Sequence, residues 1–461
     1  MSLGDLLHAS AVRHGARPAI TEVAAGRTLD YAELAARADT AAAALRSAGV
    51  AAPHRIALLG TSSLAYVAVA FGILAAGGCL VPIAANVRDA ERDEIFRTID
   101  VNGVVAVPDD GGDWSFAWLD RARRPPEGFA ALDPAFVRFS SGTTADAKGV
   151  VLSHAATLAR IAAADAVLRL APHDRILWTL PLAYHFAVTI PSYVRAGAHV
   201  LLAPESTPAT MAAALAAHEA TVLYASPVLL ARLAALAAPP RLPALRLALS
   251  TAAPLAPDVA RRFDAAYRVP LGQAYGIIEA GLACINTRQG ADRDLPAASV
   301  GRPVPGYEVA TFADDEVGVR GPGLFDAYYA PWRPRAEVLR DGWFMTGDVG
   351  TVDAAAALTL RGRRKSTIVV AGLKLFPEEV EAVLAAHPTV AESRVVARPH
   401  RALGELPHAE IVLRPGTRFD RDALARHCAA RLSPWKMPVT YTVVAAIPKT
   451  PGGKILRRPE G

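Results

Sequence analysis

The stretch Phe139-Ser-Ser-Gly-Thr-Thr-Ala-Asp-Ala-Lys-Gly149 decides how the rest of the chain is read. Five small hydroxylated or glycine residues in a row, Ser140, Ser141, Gly142, Thr143 and Thr144, are followed by Lys148, so the segment carries donors and a cation but almost no apolar surface. The apolar run before it, Pro134-Ala-Phe-Val-Arg-Phe, reads as a strand, and Val150-Val-Leu-Ser-His-Ala begins a new element, which puts the donors on an exposed turn. Successive N–H groups on a turn form a concavity suited to anions. A Walker-type loop is excluded, because G-x-x-x-x-G-K-[ST] needs glycine at 147 and a hydroxyl at 149, where the chain has Ala147 and Gly149. A P-loop kinase or GTPase is excluded with it. Taken alone, the segment also fits a solvated linker, since Ser, Thr and Gly favour turns.

The whole chain narrows the choice. Its 461 residues allow one large domain and a smaller one, and the composition, 52% hydrophobic, 20% charged and 7% aromatic, is that of an ordinary globular protein. A formal net charge of +5 is small for this length, and the arginines are scattered, so they read as solvated faces and imply no nucleic acid. Cys79, Cys284 and Cys428 are odd in number and widely spaced, which fits buried small hydrophobes in a reducing compartment, with neither disulfide framework nor zinc. The N-terminus lacks a signal-like h-region, and the most apolar run, Ala65 to Ile83, is broken by Gly72, Gly77, Gly78 and Pro82. A cytoplasmic protein with no membrane span is expected.

Asp30 is a good N-cap for the helical pattern that ends at Ala48-Gly49, and His54-Arg-Ile-Ala-Leu-Leu-Gly, an Ala-rich helix and Cys79-Leu-Val-Pro-Ile follow as strand, helix, strand. That spacing predicts a parallel sheet, and it repeats after the opening stretch through Arg175 to Ser250. Beyond about residue 300, short alternating segments rich in Gly and Pro predict a small barrel-like or antiparallel unit. The basic cluster Arg361-Gly-Arg-Arg-Lys-Ser lies between two apolar strands and is the best candidate for an interdomain joint. A compact α+β unit follows it, and the polar, glycine-rich tail places Lys454 on an exposed turn.

Taken in order, these segments resemble the adenylate-forming superfamily of acyl-CoA synthetases, nonribosomal peptide adenylation domains and luciferases, closest to a stand-alone acid–CoA ligase. Ser140 to Gly149 resembles its phosphate loop, Tyr275-Gly-Ile-Ile-Glu279 its adenine and magnesium motif, and Trp343-Phe-Met-Thr-Gly-Asp348 its ribose motif. Gly362-Arg-Arg-Lys365 resembles the hinge, Gly372 to Glu381 the segment after it, and Pro448 to Lys454 the catalytic lysine motif. The resemblance covers essentially the whole chain. It implies an α/β fold with a large N-terminal AMP-binding domain of βα-built sheets and a β-barrel-like subdomain (1–362), a hinge (363–366) and a small mobile α+β domain (367–461).

The resemblance also implies ATP, Mg2+ and CoA as reactants or cofactors, a small carboxylic acid as substrate, CoA or a separate carrier protein as acyl acceptor, and a monomer or homodimer. Ser140 to Thr144 and Lys148 would hold the β- and γ-phosphates, with Glu279 and Thr144 on the metal. Ala252, Ala253, Pro254, Tyr275, Asp348 and Arg363 would bind adenine and ribose. Lys454 would bridge carboxylate and α-phosphate until rotation about Lys365 withdraws it and brings the thiol path at Gly372 to the site. Leu180-Pro-Leu-Ala-Tyr-His-Phe resembles the motif in which His185 gates the acyl site, and Tyr184, Tyr224, Ser250, Gly276, Ile278 and Ala280 would line it. No aspartate lies between Tyr184 and Ser192, which argues against an α-amino acid and leaves an aryl or short-to-medium acyl acid. The chain ends seven residues after Lys454, which sets the expectation that no carrier domain is fused.

The sequence departs from the family at Ile278, where a threonine usually donates to the α-phosphate. A charge-assisted hydrogen bond is worth about 1.5–3 kcal/mol, so adenylation should slow by about one to two orders of magnitude unless another group compensates. Ala145 and Ala147 also stand where the family usually has glycine and proline, a change in loop stiffness more than in chemistry.

Overall fold

A computed structural model describes the chain except residues 1, 86, 110–111, 120–123, 140–148, 204–206, 371–372, 402, 450–454 and 458–461, and the side chains of 188 and 374. Helices start where local chemistry permits. Asp30 caps the helix Tyr31–Ser47 by accepting from the Glu33 N–H at 2.7 Å, and the Glu33 carboxylate accepts from the Asp30 N–H at 3.0 Å. The reciprocal pair satisfies two of the donors a helix start leaves open. Ser153 satisfies one such donor, the Ala156 N–H at 3.0 Å, for the helix His154–Leu168, which follows the strand Gly149–Ser153 without a break.

Two large sheets form the bulk of the fold. In a nine-stranded sheet, Leu271–Ile277, Leu247–Ser250, Val222–Ala225, Arg175–Trp178, His199–Leu202 and Pro18–Glu22 lie side by side and parallel. In an eight-stranded sheet, Pro134–Phe139, Cys79–Ala84, Arg55–Gly60 and Gly103–Ala106 are parallel, as strand–helix–strand spacing requires. Residues 140–148 connect Pro134–Phe139 to Gly149–Ser153, and these two strands pair antiparallel. Phe136 and Phe71 both pack on Phe186, with ring centroids 6.3 and 5.4 Å away, which closes one apolar core between the layers.

Past residue 300 the texture changes as expected. Glu308–Thr311, Glu316–Arg320, Phe344–Val352 and Leu358–Arg363 form a four-stranded antiparallel sheet. A further sheet built from Ile368–Val370, Leu373–Leu375, Val390–His400, Gly404–Leu413 and Thr440–Val443 encloses its own core with the helices Pro377–Ala385 and Arg421–Ala429. Among the described residues no helix is long and apolar enough to cross a membrane. Cys79, Cys284 and Cys428 are buried and unpaired.

Three arginines depart from the expectation of solvated faces. Arg55, Arg138 and Arg160 are 1%, 4% and 2% exposed. Arg55 is held by the carbonyls of Ile99 and Asp100, so backbone dipoles stand in for water. The cluster at 361–366 is likewise not a free linker, because the strand runs on through Arg363 and only Arg364–Ser366 turns.

Asp174 holds the amino ends of three neighbouring parallel strands. It is fully buried and accepts from Arg246 Nε and Nη2 at 2.8 and 2.6 Å, from Thr221 Oγ1 at 2.7 Å and from the Ala171 N–H at 2.9 Å. Burial pushes its carboxyl pKa up, but the Arg246, Thr221 and Ala171 hydrogen bonds outweigh it and hold the group below its usual range. Asp174→Ala is expected to cost about 2–4 kcal/mol by urea unfolding at pH 7. A carboxyl lowered in the folded state stabilises fully above its unfolded pKa of about 3.9 and less as pH falls below it, so the gap to wild type should narrow in acid.

Candidate active site

Four neighbouring parallel strands of the nine-stranded sheet, ending at Trp178, Ala225, Ser250 and Ile277, finish along one edge. Ligands of open α/β sheets bind outside such carboxyl ends. Asp348 reaches this edge from the antiparallel sheet and is 5% exposed. The Tyr275 hydroxyl donates to Asp348 Oδ2 at 2.5 Å, and Arg363 Nε lies 2.6 Å from Oδ1. Register places Arg363 directly across from Asp348, so the ion pair follows from strand pairing. The Asp348 N–H donates to Thr346 Oγ1 at 3.0 Å, and that hydroxyl donates to the Val317 carbonyl at 2.8 Å. Burial, with the Asp348 charge added, drives the Tyr275 phenol well above its usual pKa, so it stays a donor.

Beyond Tyr275 the chain turns sharply. Gly276 is exposed, and a Cβ there would sit 2.7 Å from the Gly281 carbonyl oxygen, so the turn closes only with glycine. The half-buried Ile278 side chain packs against the main apolar core, and the Ala280 carbonyl accepts from the Tyr307 hydroxyl at 2.8 Å. Glu279 accepts from the Tyr328 hydroxyl at 3.1 Å through Oε1. Burial and the adjoining Glu279 charge hold that phenol above its ordinary range, so Tyr328 remains a donor to the carboxylate.

On the other side of the edge, Trp178 and Tyr224 stack with centroids 5.7 Å apart and planes 8° from parallel, and His185 meets the Trp178 ring edge-on at 5.9 Å. The Tyr224 hydroxyl donates to Thr251 Oγ1 at 2.9 Å. Tyr184 and His185 sit in the first turn of the helix Leu182–Ala196, and the Tyr184 carbonyl accepts from Arg138. Burial pushes the Tyr184 phenol up to about 12.

The expected pocket residues therefore divide. Tyr224 and His185 share one aromatic wall. Ser250 pairs with Ala225 in register, so its buried side chain lies on the opposite face of the sheet from Tyr224, and Ala280 is fully buried. Ala252, Ala253 and Pro254 follow the strand that ends at Ser250, with Ala252 in the left-handed region at φ +71°. Lys365 is exposed in the turn Arg364–Ser366. Ser140, Ser141, Gly142, Thr143, Thr144, Lys148, Gly372 and Lys454 lie outside the described residues. Sequence reading missed Trp178, which meets the rings of both Tyr224 and His185, and Tyr328, which donates to Glu279.

A family model described as AMP-binding enzyme matches residues 7–329, and one described as AMP-binding enzyme C-terminal domain matches 379–454. The chain belongs to the AMP-binding enzyme family. It is similar to a feruloyl-CoA synthase of Amycolatopsis sp, with 29% identity over 98% of this chain and 95% of that protein. A fatty acid–[acyl-carrier-protein] ligase, ScoC, of Streptomyces coeruleorubidus is 30% identical over 94% of this chain and 91% of its own length. The crystal structure of ATP-bound MatB from Rhodopseudomonas palustris superposes with a TM-score of 0.86 at 25% identity, covering 99% of this chain and 97% of that one.

In this AMP-binding enzyme, Asp348→Ala is expected to weaken ATP binding about 10- to 100-fold by calorimetry, the equivalent of about 1.5–3 kcal/mol of charge-assisted hydrogen bonding. Tyr275→Phe keeps the carboxylate and Arg363 and should cost less.

Proposed function

We propose that the chain activates a small carboxylic acid, aryl or short-to-medium acyl, as its acyl adenylate and passes the acyl group to the thiol of CoA. The carrying observation is the Tyr275–Asp348–Arg363 group, with Glu279 on the turn that follows Tyr275, at the carboxyl edge of a family AMP-binding domain. In the first step a carboxylate oxygen attacks the α-phosphorus of ATP, the bond from that phosphorus to the β-bridging oxygen breaks, and pyrophosphate leaves with the electron pair. In the second, a thiolate sulfur attacks the acyl carbon, the carbon–oxygen bond to phosphate breaks, and AMP leaves. Charge builds on phosphate oxygens in the first step, so preorganised donors and cations carry most of the acceleration.

Each residue has a part in this reading. Asp348 accepts from the ribose hydroxyls with Arg363 beside it, and Ala252 to Pro254 and Tyr275 frame the adenine. Ser140 to Thr144 and Lys148 hold the phosphate tail, and Lys454 bridges the attacking carboxylate and the α-phosphate. Glu279 supplies one hard carboxylate oxygen, and magnesium is usually held by one or two carboxylates together with phosphates and water, so Glu279 and Thr144 fit it. Mg2+ bound there would neutralise charge on the phosphate tail. Residues 1–362 serve as the nucleotide domain, Lys365 as hinge, and 367–461 as the small domain that trades Lys454 for Gly372 between steps. The stacked Trp178–Tyr224 wall with His185 at its edge supports a flat, aromatic acyl group, in line with the likeness to a feruloyl-CoA synthase. A cytoplasmic setting would supply ATP and CoA.

A second reading, transfer to a carrier-protein thiol, is favoured by the likeness to ScoC. Pyrophosphate release across a panel of aryl and aliphatic acids, with CoA, with a phosphopantetheinylated carrier or with neither, separates the two. Steady AMP release only with CoA is expected; steady release with the carrier alone would select the second reading, and no acid-dependent pyrophosphate would defeat both. Lys454→Ala is expected to lower adenylate formation at least about 100-fold while preformed acyl adenylate is still converted to thioester. Equal loss of both half-reactions would refute the exchange of Lys454 and Gly372.

A further inference from the structure

Two of the buried arginines, Arg138 and Arg160, lie near enough for the charge of the second to act on the first. Arg160 stands on the helix His154–Leu168, where it follows Ala156 and Thr157 on the buried face. Its Nε and Nη2 donate to the Gly323 carbonyl at 3.0 and 2.5 Å, its Nη1 to the Ile278 carbonyl at 3.0 Å, and its Nη2 to the Glu279 carbonyl at 3.4 Å. Glycines make the room. A Cβ at Gly281 would come 2.9 Å from Arg160 Cδ, and one at Gly323 would come 2.6 Å from Arg160 Cβ. The turn is bonded along its length, because the Ile277 carbonyl accepts from the Ala280 N–H at 3.2 Å, the Glu279 carbonyl from the Phe325 N–H at 2.6 Å, and the Ala280 carbonyl from Tyr307.

Arg138 is the penultimate residue of the strand Pro134–Phe139 and donates to the Tyr184 carbonyl. Among the described residues, every hydrogen-bond partner of these two guanidiniums is a backbone carbonyl. Burial, then the neighbouring Arg160 charge, lowers Arg138 to about 10, and burial lowers Arg160 as well; guanidinium groups nevertheless stay protonated in proteins. Glu279 is the carboxylate that acts on both of them. A second carboxylate, Asp326, acts on Arg160 as well, so the two buried cations face two carboxylates, and what sets Arg160 apart is its fork on the carbonyls of the turn.

We propose that Arg160 is a positioning residue of the adenylation site, holding the 277–280 turn from behind so that Glu279 meets Mg·ATP in a fixed orientation, and supplying rigidity and charge where Ile278 has no hydroxyl to donate. The proposal rests on the adenylation reading above. It differs from a purely structural role in what it moves. Arg160→Met removes the fork and the charge, and Arg160→Lys keeps a charge without the fork.

The experiment is calorimetric titration of Mg·ATP into wild type and both variants without acid, beside the Mg2+ dependence of pyrophosphate release and thermal melting. Expected for Arg160→Met is about a tenfold or greater loss of Mg·ATP affinity and a raised Mg2+ requirement, with the KM for the acid within about twofold of wild type. Arg160→Lys should fall between the two. A folded Arg160→Met with unchanged Mg·ATP affinity overturns the proposal. So does an equal rise in every constant, or failure of both variants to fold, which would leave Arg160 a stability residue. A wild type that binds Mg·ATP but releases no pyrophosphate with any acid defeats the adenylation reading, while the affinity comparison still decides the role of Arg160 in holding the nucleotide.

Discussion

A single buried carboxylate ties together parts of the molecule that the chain lays down far apart. Asp348 belongs to the antiparallel sheet, its Tyr275 partner to the nine-stranded sheet, and its Arg363 partner to the last residue of the strand before the 364–366 turn. A carboxylate this enclosed is costly unless charged and hydrogen-bonding partners surround it. Tyr275 and Arg363 meet that cost, and the Tyr275 bond, the one of the two that crosses between sheets, fixes the antiparallel sheet against the carboxyl edge of the large one. The same bonds orient the carboxylate oxygens, so one constraint sets both sheet docking and ligand geometry. Arg363, about half exposed, keeps the pair near solvent and within reach of an incoming nucleotide.

Much of this frame was legible in the residues because it rests on local or periodic signals. Asp30 and Glu33 announce a helix start, the strand–helix–strand spacing from His54 to Ile83 dictates parallel pairing, and the shift to short alternating segments after residue 300 marks the antiparallel sheet. Tyr275, Glu279, Asp348 and Arg363 were legible only as motifs. That they converge is a property of strand order, in which Leu271–Ile277 lies at distance from Phe344–Val352 along the chain yet supplies the donor to it. Ser250 shows the limit of the same reasoning, since its place beside Tyr224 in the motif order says nothing of the face it takes, and the period of a strand decides that.

The arginines were misread for a different reason. Scattered positive charge is usually solvated, and composition cannot distinguish a guanidinium in water from one surrounded by carbonyls. The signal was present in the pattern. Arg138 interrupts an otherwise apolar strand, and Arg160 sits four residues after Ala156 and one before Ile161 on the face a helix of that spacing must bury. A charge at such a position is expensive, and it persists where the backbone bends its carbonyls toward it, as the turn after Tyr275 does. Polar residues that break an apolar period are therefore as informative about this site as the basic cluster at 361–366, whose Arg363 pairs with Asp348.

That cluster matters for how the two units meet. The core around Ile368, Val380, Val395 and Ile411 is complete in itself, so the boundary with the larger unit carries charges in place of a shared apolar core. Arg361 lies 3.5 Å from Glu379 and stacks its guanidinium over Phe376, and Arg364 pairs with Glu316 at 2.8 Å. The more open Arg361–Glu379 pair contributes about 0–1 kcal/mol and weakens with salt, whereas Glu316 is buried and its pair with Arg364 is partly shielded from solvent. Gly362 lets the backbone approach closely, since a Cβ there would lie 2.7 Å from Glu378 Oε2. Burial pushes Glu378 up to about 7 against the opposing charge of Arg457, so even this enclosed group carries a fractional charge near neutrality. A boundary of ion pairs and glycine-permitted closeness thus joins the two units while each keeps its own apolar core.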